Sequence, residues 1–364
     1  MKKEIIIALV AASAMTACTK EPEFWLGADM GWLTEMEANG AKFYDKKGVE
    51  REGMGLMADY GITAQRIRVW VDPSAHGNWC GKEDVVAKCR RAQSLGQAIM
   101  IDFHYSDWWA DPGKQNIPAA WSGRPYEEVR TELDRHTTEV LSSLKSEGIE
   151  PRWVQVGNET SNGLLWSVRL NEQGWEWRDS LGNVEVTESM GHLQRNPRQY
   201  AGFIAAGYEA VKRVFPETSV IVHLDNGFNN ALYNSNLDTL KKYDAKFDMI
   251  GMSLYPYWSI EAGSEPDAEK TITDCINNIN LVSQKYGVDV MIVETGYEVD
   301  EKRPEVMEAG RDQLARLIRE CRTKTGGHCK GVFYWEPECK PSQYKLGAFT
   351  EDGHPTAIMD AFLQ

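Results

Sequence analysis

The chain has 364 residues, 42% of them apolar and 10% aromatic, with a formal net charge of -14. That composition supports a packed core and excludes a disordered polymer, and a single α/β barrel with insertions accommodates the length. The surplus of Asp and Glu excludes electrostatic capture of nucleic acid, which needs clustered Lys and Arg, and points to a neutral substrate. Thirteen Trp suit both core packing and stacking against sugars, and about half are expected in each role.

At the N-terminus, Lys2 and Lys3 precede the apolar run from Ile5 to Val10, and small residues then lead to Ala17 and Cys18. The run is too short to span a bilayer and reads as a processing segment. Ala14-Met15-Thr16-Ala17-Cys18 resembles a bacterial lipobox, which implies removal of residues 1–17 and lipidation of Cys18. An ordinary secretory leader, with Cys18 incidental, is the alternative. Thr19-Lys20-Glu21 looks like the acidic tract of some surface-exported lipoproteins. The expectation is therefore a tether over 18–24, a catalytic domain over 25–364, and an outer-membrane, cell-surface location with the lipid as the sole membrane contact.

From there, short runs rich in Val, Ile, Phe and Tyr alternate with longer amphipathic stretches, the rhythm of a parallel sheet. Strands are predicted at Trp25 to Met30, Ala64 to Val71, Ala98 to Tyr105 and Trp153 to Glu159. Four more follow at Val220 to Asp225, Met249 to Pro256, Val290 to Thr295 and Val332 to Pro337. Helices are predicted at Lys82 to Leu95, Tyr126 to Glu147, Arg198 to Phe215, Glu265 to Tyr286 and Pro304 to Arg322. Eight strands and no dividing linker predict a single-domain (β/α)8 TIM barrel. A doubly wound open sheet shares the alternation, but the first βα turn has no glycine-rich phosphate loop. Cys80, Cys89, Cys275, Cys321, Cys329 and Cys339 match no zinc spacing. They read as buried thiols or local disulfides, with Cys321, Cys329 and Cys339 nearest one another.

A barrel places its active site where the strands end. Those ends carry Asp29, Arg68, Trp70, Asp102, His104, Asp107, Asn158, Glu159, His223, Asp225, Asn226, Tyr255, Tyr257, Glu294, Trp335 and Glu336. Single polar endings are ordinary turn formers; carboxylates, Arg, His and Trp converging on one rim are not. Hydrolysis of a glycosidic bond needs a proton donor and a second carboxylate, which Glu159 and Glu294 supply. A separation of about 5 Å would make the second a nucleophile and the outcome retention. Burial near a like charge would keep Glu159 protonated, while Arg68 and the Tyr255 hydroxyl would keep Glu294 ionised. Asn158 is placed to meet the sugar 2-hydroxyl, Trp335 to floor the ring, and Tyr257 to join the substrate contacts.

These residues resemble the arabinogalactan endo-β-1,4-galactanases, glycoside hydrolase family 53, within the clan of retaining (β/α)8 glycosidases. The likeness runs through Gly27-Ala28-Asp29-Met30, Glu35-Met36-Glu37, Lys42-Phe43-Tyr44-Asp45 and Arg66-Ile67-Arg68-Val69-Trp70-Val71. Its most specific part is Asp102-Phe103-His104-Tyr105-Ser106-Asp107 leading into Trp109-Ala110-Asp111-Pro112 and Gln115. Val156-Gly157-Asn158-Glu159-Thr160, Ser253-Leu254-Tyr255-Pro256-Tyr257-Trp258, Glu294-Thr295-Gly296-Tyr297 and Tyr334-Trp335-Glu336-Pro337 complete it. The resemblance implies Glu159 as acid/base, Glu294 as nucleophile, and His104, Asp107, Asn158, Tyr255 and Trp335 around the cleaved bond. The implied substrate is β-1,4-galactan, with no cofactor and a monomeric enzyme.

Three departures stand out. Thr160 to Asn196, with Trp166, Trp175 and Trp177, is long for the family. The connection after Trp335 is short where some members bind calcium, which implies no metal there. Leu254 occupies an expected aromatic position and would weaken one sugar contact. A related barrel enzyme acting on xylan, mannan or β-glucan would use the same two Glu residues, and a surface glycan-binding lipoprotein would need neither. A barrel esterase or aldolase lacks its Gly-x-Ser-x-Gly elbow or strand-end lysine here.

Overall fold

A computed structural model describes residues 23–364, so the leader, Cys18 and most of the expected tether lie outside the described residues. All eight predicted strands form: β1 (Trp25–Asp29), β2 (Ala64–Val69), β3 (Ala98–Phe103), β4 (Trp153–Val156), β5 (Ser219–Leu224), β6 (Met249–Leu254), β7 (Asp289–Thr295) and β8 (Cys329–Trp335). They pair in parallel in sequence order and close into a barrel where Trp25 meets Gly331 and Asp29 meets Trp335. The strands read as nearly unbroken apolar runs because both faces are covered, by the barrel interior on one side and helices on the other. In β2 and β6 every residue is buried.

Outside lie α1 (Gly53–Asp59), α2 (Lys82–Ser94), α3 (Tyr126–Ser146), α4 (Pro197–Val214), α5 (Asn230–Lys242), α6 (Ala268–Tyr286) and α7 (Pro304–Thr323), with the 3-10 turn Ala357–Leu363 after β8. The five predicted helices end within three residues of expectation. The sequence pattern misses α1, α5 and two single-turn helices, Leu33–Ala38 and Pro256–Glu261. In α5 three Asn dilute the helical signal, and an Asn229 cap on the Leu232 N–H at 3.1 Å starts it.

The barrel interior is layered. Its lower part is apolar, filled by Ala64, Met100, Trp153, Ile221, Met249, Met291, Val293 and Phe333. A Cβ on Gly27 would lie 2.1 Å from the Phe333 ring, so glycine there makes room for that side chain. Because inward positions recur every second residue, the next layer up is Asp29, Arg66, Asp102, Gln155, His223 and Ser253, all buried. Glu294 joins it by a different route. On β7 the register moves from Met252 opposite Ile292 to Ser253 opposite Glu294, a bulge at Val293 that turns two consecutive side chains inward. β1 begins at the opposite, lower end of the barrel, where Trp25 packs edge-on against Trp153 at 5.2 Å.

All six described cysteines are free and buried. Cys275, Cys321 and Cys329 adjoin one another, whereas Cys339 lies beside Glu336 and Glu338 instead of with the other two. Contrary to expectation, then, Cys275 completes the thiol cluster on the helix side of the barrel. Leu254 is fully buried in the outer core and is not among the residues that line the cleft.

Phe333→Ala removes the central side chain of the lower layer and should cost about 3–5 kcal/mol. Urea unfolding followed by Trp fluorescence measures it; a loss below about 1 kcal/mol would show that the interior is loosely packed.

Candidate active site

The strand ends open into a cleft of about 630 Å³, lined among others by Trp32, His104, Trp109, Asn158, Glu159, Ser253, Tyr255, Glu294 and Trp335. Both predicted carboxylates face it. Glu294 comes from β7, and its Oε1 accepts from Arg66 at 2.9 Å while Oε2 accepts from the Tyr255 hydroxyl at 2.9 Å. Burial pushes its pKa up, to about 7, against the downward pull of Arg66 and the Tyr255 hydrogen bond. Tyr255 itself stays a neutral donor, since burial and the adjacent Glu294 hold its pKa well above the ordinary phenol value.

Glu159 sits just past β4 with φ of 47°, a left-handed conformation that costs a non-glycine residue energy and marks a constrained position. Its backbone N–H donates to His223 Nδ1 at 3.2 Å, and the Gln155 amide donates to the same nitrogen at 3.0 Å. Those two donors place the imidazole proton on Nε2, which reaches Ser253 Oγ at 2.8 Å. Burial and nearby Arg66 push His223 well below its ordinary pKa, so it is neutral. The Ser253 hydroxyl in turn bonds the Glu159 carboxyl. Among the described residues no cation pairs with Glu159; burial and the charge of Glu294 raise its pKa well above the carboxylate range. The two carboxyls therefore hold different protonation states, with Glu159 keeping its proton when Glu294 is ionised.

Arg66, which the sequence reading passed over for Arg68, is the cation of the site. Its guanidinium bonds Asp29 at 2.6 Å, Gln155 at 2.8 Å and Asp102, Asn158 and Glu294 at 2.9 Å each. Burial alone would raise Asp102, but Arg66 and His104 hold it down to about 2. Arg68 lies outside the cleft lining. It is fully buried, pairs with Glu336, and sits 4.3 Å from the Trp109 ring, 5.2 Å from Trp32 and 5.3 Å from Trp70. Both arginines occupy the same inward face, and spacing gives no measure of depth. From behind, Arg68 braces an aromatic wall in which Trp32 and Trp335 meet edge-on at 5.2 Å and Trp109 lies 5.8 Å from Trp335.

The other expected contacts divide. His104 lines the cleft, with Nδ1 accepting from Ala110 N at 3.1 Å and Nε2 on Asp102 at 3.1 Å. Asn158 also lines it, held by Arg66 and by a 2.8 Å bond to the Ala110 carbonyl, which leaves one amide hydrogen for a ligand. Asp107 turns away and fastens two loops, accepting from Asp72 N at 3.1 Å and Ala119 N at 2.8 Å. Tyr257 is also off the cleft, under the Lys345 ammonium at 4.0 Å. Asp111, Trp175, Asp225, Asn226, Trp258, Gln343 and Tyr344 complete the walls. Asp225 and Asn226 stand at a strand end and Trp258 on the short helix Pro256–Glu261, whereas Asp111, Trp175, Gln343 and Tyr344 come from loops, where no periodic signal marks direction. Five of the thirteen Trp line the cleft, fewer than the expected half. Among the described residues, no group of three or more His, Cys, Asp or Glu side chains is placed to hold a metal ion.

The family model for glycosyl hydrolase family 53 matches residues 25–357. An arabinogalactan endo-β-1,4-galactanase of Cellvibrio japonicus is 30% identical, over 93% of this chain and 87% of its own. An endo-β-1,4-galactanase of Bacillus subtilis is 27% identical, over 88% of this chain and 71% of its own. Among solved structures, the family 53 catalytic domain of Ignisphaera aggregans superposes with a TM-score of 0.78 at 26% identity, covering 94% of this chain and 97% of that one.

Arg66→Met takes the guanidinium from Asp102 and Glu294, leaves Asp29 only Arg68 at 3.7 Å, and is expected to cost about 3–5 kcal/mol at neutral pH. Asp102 has a depressed pKa, so its contribution is present above its ordinary 3.8 and vanishes as pH falls toward about 2. The gap between variant and wild type should narrow over that window in urea titrations; a constant gap would mean that Arg66 acts by packing alone. In Glu294→Gln, Glu159 should titrate lower than in wild type, observed by carbon NMR of labelled carboxyls.

Proposed function

The chain belongs to glycosyl hydrolase family 53, and from that membership we propose that it cuts internal β-1,4-galactosidic bonds of galactan and type I arabinogalactan with retention of configuration. Glu159 donates its proton to the glycosidic oxygen while the Glu294 carboxylate attacks the anomeric carbon, releasing the leaving chain and forming a covalent glycosyl-enzyme. Glu159, now a carboxylate, takes a proton from water, whose oxygen attacks the same carbon and frees Glu294. The carrying observation is the asymmetry of the pair: two buried carboxyls on one cleft, both raised by burial, one held by Arg66 and Tyr255, the other with no paired cation among the described residues.

The surroundings fit these steps. Tyr255 and Arg66 fix the attacking oxygens, and the Ser253 hydroxyl, positioned by neutral His223, orients the acid. The wall of Trp32, Trp109 and Trp335 offers flat apolar surface to the ring under attack. In this reading the enzyme works as a monomer held at the cell surface by a lipid on Cys18, supported by the lipobox-like residues 14–18.

Linear galactan should yield galacto-oligosaccharides, with xylan and mannan untouched. Glu159→Gln should lose about a hundredfold to ten-thousandfold in kcat, and Glu294→Gln essentially all of it. Hydrolysis confined to xylan or mannan would sink the galactanase assignment, and binding without turnover in all three proteins would replace it with capture. The kcat/KM profile should fall at acid pH as Glu294 takes a proton, and at alkaline pH as Glu159 loses its own. Fatty-acid labelling of cells should mark the wild type and spare Cys18→Ser.

A further inference from the structure

The long segment after β4 carries a small hairpin, Ser167–Val168 paired with Val186–Glu188, that lies outside the barrel. We propose that the tip of this hairpin is a further sugar-binding subsite, in which Trp175 stacks on a galactose unit on the leaving-group side of the cleaved bond. The proposal rests on the galactanase reading and adds to it a determinant of chain length and cutting position.

The base of the hairpin is fixed to the part of the site that carries the acid. Leu164 N donates to Gly191 O at 3.1 Å, and a Cβ on Gly163 would fall 2.1 Å from that same oxygen, so the two sides are closely apposed. Trp166 N donates to Gln115 O and Val168 N to Asn116 Oδ1, both at 3.1 Å. Gln115 reaches on to the Asn158 carbonyl at 2.8 Å, next to Glu159. Displacement of the hairpin would therefore strain the acid's own backbone.

The tip is built to hold an aromatic ring in the open. Asn171 Oδ1 accepts from the N–H groups of Gln173 and Trp175, both at 3.0 Å, which closes the turn. Lys114 Nζ lies 4.7 Å from the Trp175 ring centroid. Even so, Trp175 is 55% exposed and lines the cleft. Its two neighbours are used otherwise: Trp166 is buried, and Trp177 lies under Arg169 at 4.5 Å. An exposed indole forgoes burial, and here the surface it leaves open faces the substrate channel. Galactose suits such a surface, because its axial 4-oxygen gathers C–H groups on one face of the ring.

The side follows from the division of labour between the carboxyls. Glu294 comes from β7, and of the wall around the attacked ring Trp335 ends β8, Trp32 follows β1 and Trp109 follows β3. Glu159 serves the departing oxygen and has Asp225 as a neighbour, while Trp175, on the connection that follows Glu159 itself, lines the same cleft with Asn226.

Reducing-end-labelled galactohexaose separates the outcomes. Losing a leaving-side subsite should move the cuts of Trp175→Ala toward the reducing end, and should lower the ratio of kcat/KM on galactan to that on galactotriose about tenfold. Trp175→Tyr should restore both. An unshifted pattern, or a shift toward the non-reducing end, overturns the proposal. Because cutting position is read from products, reduced yield or stability of the alanine variant does not affect it. A wild type that leaves galactan intact defeats the underlying activity instead.

Discussion

One buried guanidinium organises the upper barrel. Arg66, 1% exposed, bonds partners from β1, β3, β4 and β7 and the residue just before Glu159. A charge in such a place is tolerated only when its donors are matched, and here each partner is itself tied to the catalytic rim. The polar layer thereby replaces an apolar one that would pack equally well but do no chemistry. Burial of Arg66 leaves its charge to Glu294 and to its partners on the other strands.

A second constraint is conformational. Tyr105, Glu159, Asn226 and Glu336, one each just beyond β3, β4, β5 and β8, all adopt positive φ without being glycine. Strain of this kind persists where the surroundings over-determine it. At Glu159 the surroundings are a bond to His223 at the residue's own nitrogen and the Ser253 hydroxyl at its carboxyl. Glu159 is thus gripped at backbone and side chain, while Glu294 is aimed by the bulge at Val293. Two different backbone irregularities bring two distant residues to one gap.

The barrel was legible because parallel strands covered on both faces leave long apolar runs, and because those runs end in residues no turn requires. Glu159 and Glu294 stood out on that ground. Arg68 stood in for Arg66 because both share an inward face, and alternation says nothing about which one lies beside Glu294 and which behind a tryptophan. Asp107 and Tyr257 were read as substrate contacts from their place at strand ends; loop direction turned one into a backbone fastener and the other into a seat for Lys345. Trp175, Trp166 and Trp177 are indistinguishable by composition, and only the folded hairpin separates the exposed one from the two that are covered.

Parallel strands give the barrel two unlike ends, and β1 starts at Trp25 on the end away from the cleft. A molecule held by its N-terminus therefore stands with its mouth turned outward. Fixed to any support by that end, it would present the opening to polymer arriving from solution, with the height of the barrel as clearance, and would need no hinge to aim it.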